Sequence, residues 1–363
     1  MILTRIILHN YRNIEAAELC PEENFNLLCG DNAQGKTNTL EAIYLLGHFK
    51  SFRRGRNEEL IGSADRHTRV QGEFLRDGLR ETVSITITGD KKNIEINGKR
   101  PRQSNEMFGR FPSVLFAPEE VSLPKGFPAG RRALLDRALC QTRPSFLDHA
   151  RAYQRCLRQR NILLKSGAAA PIVLPWTEEL IQTGAMVRLA RRRYLDRLLP
   201  LLRDIYREIC SGRESVNLVY PSESDNLSDL KEELRSNLER EQSRETKYGM
   251  TMVGPHRDDP VFMVDDRVLG LYGSQGQQRS FILAFKTAQI IDLEKETGYT
   301  PLLLLDDMTS ELDRKRQDYF FRFLHQRQGQ VFITCTELSP LQNAGFNRMR
   351  TFRVREGKLC DYQ

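Results

Sequence analysis

The most specific chemistry in this sequence lies in eight residues, Gly30-Asp31-Asn32-Ala33-Gln34-Gly35-Lys36-Thr37. They fit G-x-x-x-x-G-K-[ST] and stand between an apolar run, Phe25–Cys29, and a helix pattern through Leu40, Ile43, Tyr44 and Leu46. Glycines let a backbone wrap closely round a phosphate. The loop N–H groups and the positive end of the following helix attract its charge. In such a loop Lys36 reaches the β- and γ-phosphates, and the Thr37 hydroxyl holds Mg²⁺. The chemistry predicted is therefore the binding of a nucleoside triphosphate with magnesium.

Two further constellations belong beside it. Leu302-Leu303-Leu304-Leu305 reads as a strand buried on both faces, and Asp306 and Asp307 follow at its C-terminal end. Asp306 is placed to orient the Mg²⁺ shell and Asp307 to sit near an attacking water. Ser274-Gln275-Gly276-Gln277-Gln278-Arg279-Ser280 opens a helix and offers a hydroxyl, backbone N–H groups and a positive dipole end to a γ-phosphate. Standing alone, the aspartates read as turn formers and Ser274 as an ordinary N-cap. Together with the phosphate loop they read as one catalytic set. His256, Asp258 and Asp259 look superficially like metal ligands, but one His with two acids reads better as a structural turn.

The order phosphate loop, S-Q-G-Q-Q, Asp-Asp, then Ser310-Glu311-Leu312-Asp313 resembles the ABC/SMC-type ATPase head family. Within that family the chain is most similar to the bacterial recombination and gap-repair mediators. Leu8-His9-Asn10-Tyr11-Arg12-Asn13, the stretch from Pro118 to Asp136, and Gly254-Pro255-His256-Arg257-Asp258-Asp259 carry this closer likeness. The resemblance implies ATP and Mg²⁺ as cofactors, and an ATP-dependent homodimer. In that dimer Ser274, Gln275, Gly276 and Gln277 of one copy cover the nucleotide of the other, with Ser310, Glu311 and Asp313 as the D-loop. It also implies binding to double-stranded or gapped DNA, slow DNA-stimulated hydrolysis, and RecR, RecO and a RecA-type recombinase as partners. Arg12 is either a nucleotide contact or an ordinary arginine after the first strand. Three departures stand out. Asp307 replaces the usual Glu and is one methylene shorter, which predicts slow hydrolysis. Thr334-Cys335-Thr336 occupies the place of the switch His, with Thr336 nearest that position. No clear Q-loop glutamine exists, and Glu119 or Glu120 occupies its region.

These residues need an α/β body to position them. Alternating strands through residue 116 and again from about 250 frame a mainly helical stretch. The predicted division is an ATPase body from 1–117 and 246–363, a mixed sheet with the phosphate loop plus an antiparallel layer. A compact helical insert, 118–245, splits it. The insert is too short for a long coiled coil. It carries 16 basic and 6 acidic residues between Arg131 and Arg207, whereas 221–245 holds 8 acidic and 4 basic. That asymmetry suggests a polyanion partner. Arg53, Arg54, Arg151, Arg155, Arg191 and Arg192 are the candidate DNA contacts, through phosphates and without base readout. The competing reading is internal pairing with the acidic segment. The chain has 363 residues, seven scattered cysteines and no long apolar run. A membrane-spanning or secreted protein is therefore excluded, and a cytoplasmic, reducing location is expected. An ABC-type ATPase subunit that does not act on DNA is the main alternative. A nuclease or helicase lacks the extra carboxylates or motor motifs it needs.

Overall fold

The first strand, β1 (Ile2–Tyr11), buries Leu3, Ile6 and Leu8 and pairs antiparallel with both β2 (Ile14–Leu19) and β4 (His67–Arg76). With β5 (Leu79–Thr88) and β6 (Lys91–Ile96) they form a five-stranded sheet in the order β2-β1-β4-β5-β6. In this computed structural model the described residues are 1–53, 55–103, 106–222, 224–308, 312–336 and 349–362.

A second sheet has six strands, β14-β13-β3-β12-β11-β7. It comprises β3 (Phe25–Cys29), β7 (Ser113–Phe116), β11 (Leu302–Leu305), β12 (Val331–Cys335), β13 (Met349–Arg355) and β14 (Lys358–Tyr362). All pairings are parallel except the edge hairpin β13–β14. Four leucines in a row suit β11 because it lies between two neighbours and is buried throughout. Helix α1 (Lys36–His48) contributes Leu40, Ile43 and Leu46 to one apolar core shared with Leu3, Phe74 and Val83 of the first sheet and Leu304 and Phe332 of the second. Buried Gln330 ties the sheets together. Its Oε1 accepts from Leu3 N at 2.8 Å, and its Nε2 donates to the Leu3 and Glu22 carbonyls, each at 2.8 Å. A buried amide using both ends this way costs little and specifies one alignment.

The chain divides into two units, Met1–Val121 with Phe285–Gln363, and Ser122–Ala284. Residues 246–284 therefore belong with the helical insert and not with the body as the sequence suggests. The reason is strand pairing: β8 (Val216–Val219) pairs antiparallel with β9 (Val261–Val264), and β10 (Arg267–Val268) closes a three-stranded sheet. Asp265 and Asp266 form the tight turn, both at positive φ. The short helix α7 (Leu269–Tyr272) follows.

After the short helix α2 (Pro118–Val121) in the chain, helices α3 (Pro128–Thr142), α4 (Ser145–Lys165), α5 (Ala170–Ile209) and α6 (Leu227–Tyr248) build the rest of this unit. The sequence suggests a helix of about 20 residues from Glu178, but α5 has 40. Pro171 occupies its first turn, where no amide is needed, and Pro175 forfeits one bond near the start. Buried arginines clamp the helices. Arg160 pairs with Glu245 at 2.6 Å, Arg188 with Asp258 at 2.7 Å and Glu233 at 2.9 Å, and Arg191 with Asp136 at 2.8 Å.

His256 is part of this scaffold, as the turn reading expects. Its Nδ1 accepts from the Tyr153 hydroxyl at 2.6 Å, and its Nε2 donates to the Thr251 carbonyl at 3.2 Å. Burial pushes the imidazole down to about 4. The folded protein thus keeps His256 neutral where an unfolded chain protonates it near pH 6.5. Its stabilising contribution is whole above that pH and is lost as pH falls toward 4, a total of at most about 3.5 kcal/mol at ~1.4 kcal/mol per pH unit. The predicted outcome is that His256→Gln shows a flatter fall in unfolding free energy across this window in urea titrations. Parallel curves for the two proteins would contradict it.

Candidate functional site

The phosphate loop leaves β3, an interior strand of the parallel sheet, and enters α1 at its C-terminal edge, where α/β sheets place their ligands. The loop is gripped from outside. Asn13 Nδ2 donates to the Gln34 carbonyl at 3.2 Å, and the amides of Glu356 and Gly357 donate to Gln34 Oε1 at 2.7 Å and to its carbonyl at 2.9 Å. The turn between β13 and β14 therefore holds a loop more than 300 residues earlier in the chain. A Cβ on Gly30 would lie 2.2 Å from the Val354 carbonyl oxygen, so only glycine fits the loop's first position.

Lys36 is buried, and its ammonium donates to the carbonyls of Gly30 and Asp31, folded back over the loop. The Thr37 hydroxyl donates to Asp306 Oδ1 at 2.9 Å, and the Thr334 hydroxyl donates to the same oxygen at 2.8 Å. The amide of Asp307 donates in turn to Thr334 Oγ1 at 2.9 Å. Burial raises the Asp306 carboxyl above its usual range, while Thr334, Thr37 and the Arg53 charge work the other way. Asp307 takes a left-handed backbone with φ 47° and an exposed side chain. Asn32, Ala33, Gly35, Lys36, Thr37, Asn38, Arg53, Asp306, Asp307 and Thr334 line one concave site.

Two arginines of the sequence reading stand near the phosphate loop. Arg53, expected among the DNA contacts, stands on this wall, where Nη1 donates to Asn38 Oδ1 at 2.8 Å. Arg12, read either as a nucleotide contact or as an ordinary arginine after the first strand, is paired with Glu41, Nε to Oε2 at 2.5 Å and Nη2 to Oε1 at 2.8 Å. The Glu41 hydrogen bonds hold the Arg12 guanidinium above its usual range. Glu41 is fully buried, also accepts from the Ser51 hydroxyl, and has Arg53 3.9 Å away. A buried carboxylate needs such partners. The sequence pattern missed Glu41, whose only signal is a polar residue on an otherwise apolar helix face. It placed Thr334 in the switch-His stretch but set Thr336 nearest that position, whereas Thr334 is the residue bonded to Asp306 and Thr336 is exposed.

Ser274 caps helix α8 (Gln275–Thr297): Gln277 N donates to Ser274 Oγ at 3.1 Å, and Ser274 N donates to Gln277 Oε1 at 2.9 Å. Gln275 is exposed, and just before the cap Leu271 and Tyr272 are 74% and 70% exposed. Asp313 caps helix α9 (Arg314–His325), its side chain accepting from Arg316 N at 3.0 Å. Ser310 and Glu311 lie outside the described residues, as does Arg54. Glu120 is buried against Lys286 at 2.8 Å, whereas Glu119 is exposed and its charge bears on Asp306.

Burial also sorts the insert's arginines. Arg191 is 5% exposed and held by Asp136 and the Pro255 carbonyl, so it is removed from the DNA candidates. Arg192 pairs with Asp196 at 3.1 Å. Arg151 and Arg155 are exposed on α4, with Arg158 completing a stripe at helical spacing.

The family described as the RecF/RecN/SMC N-terminal domain matches residues 2–359. The DNA replication and repair protein RecF of Geotalea daltonii is 37% identical over 99% of this chain and 100% of its own length. That of Geobacter sp. strain M21 is 40% identical, with 99% and 100% covered. A solved structure of the recombination mediator RecF with ATP, described as part of the RecFOR pathway, superposes with a TM-score of 0.90 at 31% identity, covering 99% of each chain. The Smc head domain of Pyrococcus furiosus shares the fold at TM-score 0.58 and 15% identity.

The grip of the terminal turn on the loop is testable. Gly357 has φ 75°, and a Cβ there would lie 2.0 Å from the Asn13 carbonyl oxygen. Gly357→Ala is predicted to cost about 2 kcal/mol in urea unfolding and to raise amide exchange across residues 30–37. Unchanged exchange there would mean that the turn does not hold the loop.

Proposed function

Because this chain belongs to the RecF family of DNA replication and repair proteins, an ABC/SMC-type ATPase head, we propose that it is an ATP-gated DNA-binding switch. The observation that carries the reading is the shared oxygen of Asp306, which joins the phosphate loop to the acidic end of β11. Each chain-borne group then has a task. Lys36 leaves its two loop carbonyls to meet the β- and γ-phosphate oxygens. Arg53 adds positive charge on the same wall. Asp307, fixed through its backbone amide, orients the attacking water.

The residues fit a magnesium ion. Thr37 Oγ1 and Asp306 Oδ1 are hard oxygen donors 2.9 Å apart. Bound there, Mg²⁺ would offset charge on the phosphate oxygens. The signature is carried on a capped helix start whose flanking Leu271 and Tyr272 face solvent. An exposed apolar lip beside a phosphate-binding helix end suits a protein partner. We assign that partner to a second copy, with Ser274, Gln275, Gly276 and Gln277 meeting the first copy's nucleotide. Duplex or gapped DNA is held through phosphates, and the dimer acts with RecO- and RecR-type proteins to help load a RecA-type recombinase. Hydrolysis is slow because Asp307 reaches less far than Glu.

Three outcomes are expected. Lys36→Ala abolishes binding of a fluorescent ATP analogue. Asp307→Asn keeps binding and loses at least about tenfold in turnover, in line with removal of a general base. Loss of binding in Asp307→Asn would place that carboxylate in the nucleotide pocket and not beside water. The third concerns DNA. Replacing Arg151, Arg155 and Arg158 by Ala weakens duplex binding regardless of sequence and reduces the logarithmic salt slope by about 3, close to one per phosphate contact. An unchanged slope would move the DNA surface elsewhere.

A further inference from the structure

One cluster of chemistry-bearing side chains lies apart from the phosphate site. His9 near the end of β1 and His67 at the start of β4 are on adjacent strands, and Asp65 precedes the second strand by two residues. The Asp65 carboxylate oxygen Oδ2 is 3.4 Å from His9 Nε2 and 3.0 Å from His67 Nδ1. The two imidazole rings are 5.3 Å apart between centroids. Among the described residues this is the one group of three His, Cys, Asp or Glu side chains whose ligand atoms all lie within 4.8 Å of one another.

We propose that His9, Asp65 and His67 bind one divalent transition-metal ion of the zinc class. The argument is geometric. Metal–ligand distances of 2.0–2.2 Å in a tetrahedral site put neighbouring ligand atoms about 3.3 Å apart. Two of the three edges, at 3.4 and 3.0 Å, already have that length. Closing the third requires only rotation of half-exposed imidazoles toward each other. Two imidazole nitrogens with one carboxylate oxygen suit Zn²⁺, Co²⁺ or Ni²⁺ and not Mg²⁺ or Ca²⁺, which take oxygen ligands. Three protein ligands leave a fourth position for water.

The backbone beneath the cluster is fixed in advance. Asn10 is buried, and its side-chain amide donates to the carbonyls of Asp65 at 2.9 Å and His67 at 2.8 Å. Its Oδ1 accepts from Ala64 N at 3.0 Å, and the Thr68 hydroxyl donates to the His9 carbonyl at 2.9 Å. The remaining oxygen of Asp65 accepts from Arg66 N at 2.6 Å, which turns Oδ2 toward the two histidines. Supporting bonds of this kind orient ligands and raise metal affinity. An ion here would staple residues 64–67 to β1, immediately upstream of Arg12 and Asn13.

The test uses tag-free, full-length protein, treated with chelator and kept free of nucleotide. It is titrated with Co²⁺ alone and then with Zn²⁺ alone. One Co²⁺ per chain is expected, with the visible bands of a nitrogen–oxygen site and without the intense near-ultraviolet band of thiolate ligation. Zn²⁺ should displace it and raise the melting temperature. His67→Ala and His9→Gln, each at a half-exposed position, should lose the bound ion and the Zn²⁺-induced rise while melting like wild type without metal. Cys29→Ser should keep both. Failure to retain a metal at micromolar concentration would overturn the proposal. So would an ion that survives both histidine substitutions, or one whose spectrum shows thiolate ligation.

Discussion

One carboxylate oxygen ties together the C-terminal edge of the parallel sheet and the start of α1. Asp306 Oδ1 accepts hydrogen bonds from the hydroxyls of Thr37 and Thr334, which stand on α1 and β12. Burial alone would drive this carboxyl toward its neutral form, and the two hydroxyls offset part of that cost. The arrangement works only in one strand register. Leu305 pairs with Ile333, and Ile333 with Leu27, so Asp306, Thr334 and the root of the phosphate loop end at the same level. A slip of one residue would turn Thr334 to the other face of the sheet. The apolar core beneath the sheet thus serves the chemistry by excluding such slips.

A second constraint acts on the loop itself. Its glycines give it freedom, and Asn13 and the Glu356-Gly357 turn remove that freedom again. The loop is therefore shaped before any phosphate arrives, and less ordering is left for binding to supply. The groups involved come from the two ends of the chain. This explains how a long insert is tolerated between them: the closing contacts are made within one unit.

The phosphate loop, the leucine strand and the capped signature helix were legible because each couples a strict local pattern to a local geometry. Leu302–Leu305 is bounded by sequence as it is in the fold, and Ser274 caps through its own neighbour Gln277. Glu41 was not legible, and of the Thr334-Cys335-Thr336 stretch the sequence favoured Thr336 over Thr334. The roles of Glu41 and Thr334 depend on partners far along the chain, and a single buried polar residue leaves no periodic trace. The unit boundary failed for a related reason. The pairing of Val216–Val219 with Val261–Val264 is non-local, so residues 246–284 look like a continuation of the body. Charge counting also misled at particular positions. Arg188 and Arg191 belong to the basic block by composition but are spent on Asp258, Glu233 and Asp136. Only exposed arginines such as Arg151 and Arg155 remain candidates for a polyanion.

In the proposed function nucleotide joins two copies of this chain, because each carries one phosphate loop and one signature. The most direct measurement is molar mass by light scattering, with and without Mg-ATP, in the Asp307→Asn background to slow turnover. The expected result is a 42.0 kDa species that doubles only with ATP, and no doubling when Ser274→Arg is added. A mass that ignores ATP, or a Ser274→Arg protein that still doubles, would contradict the composite site.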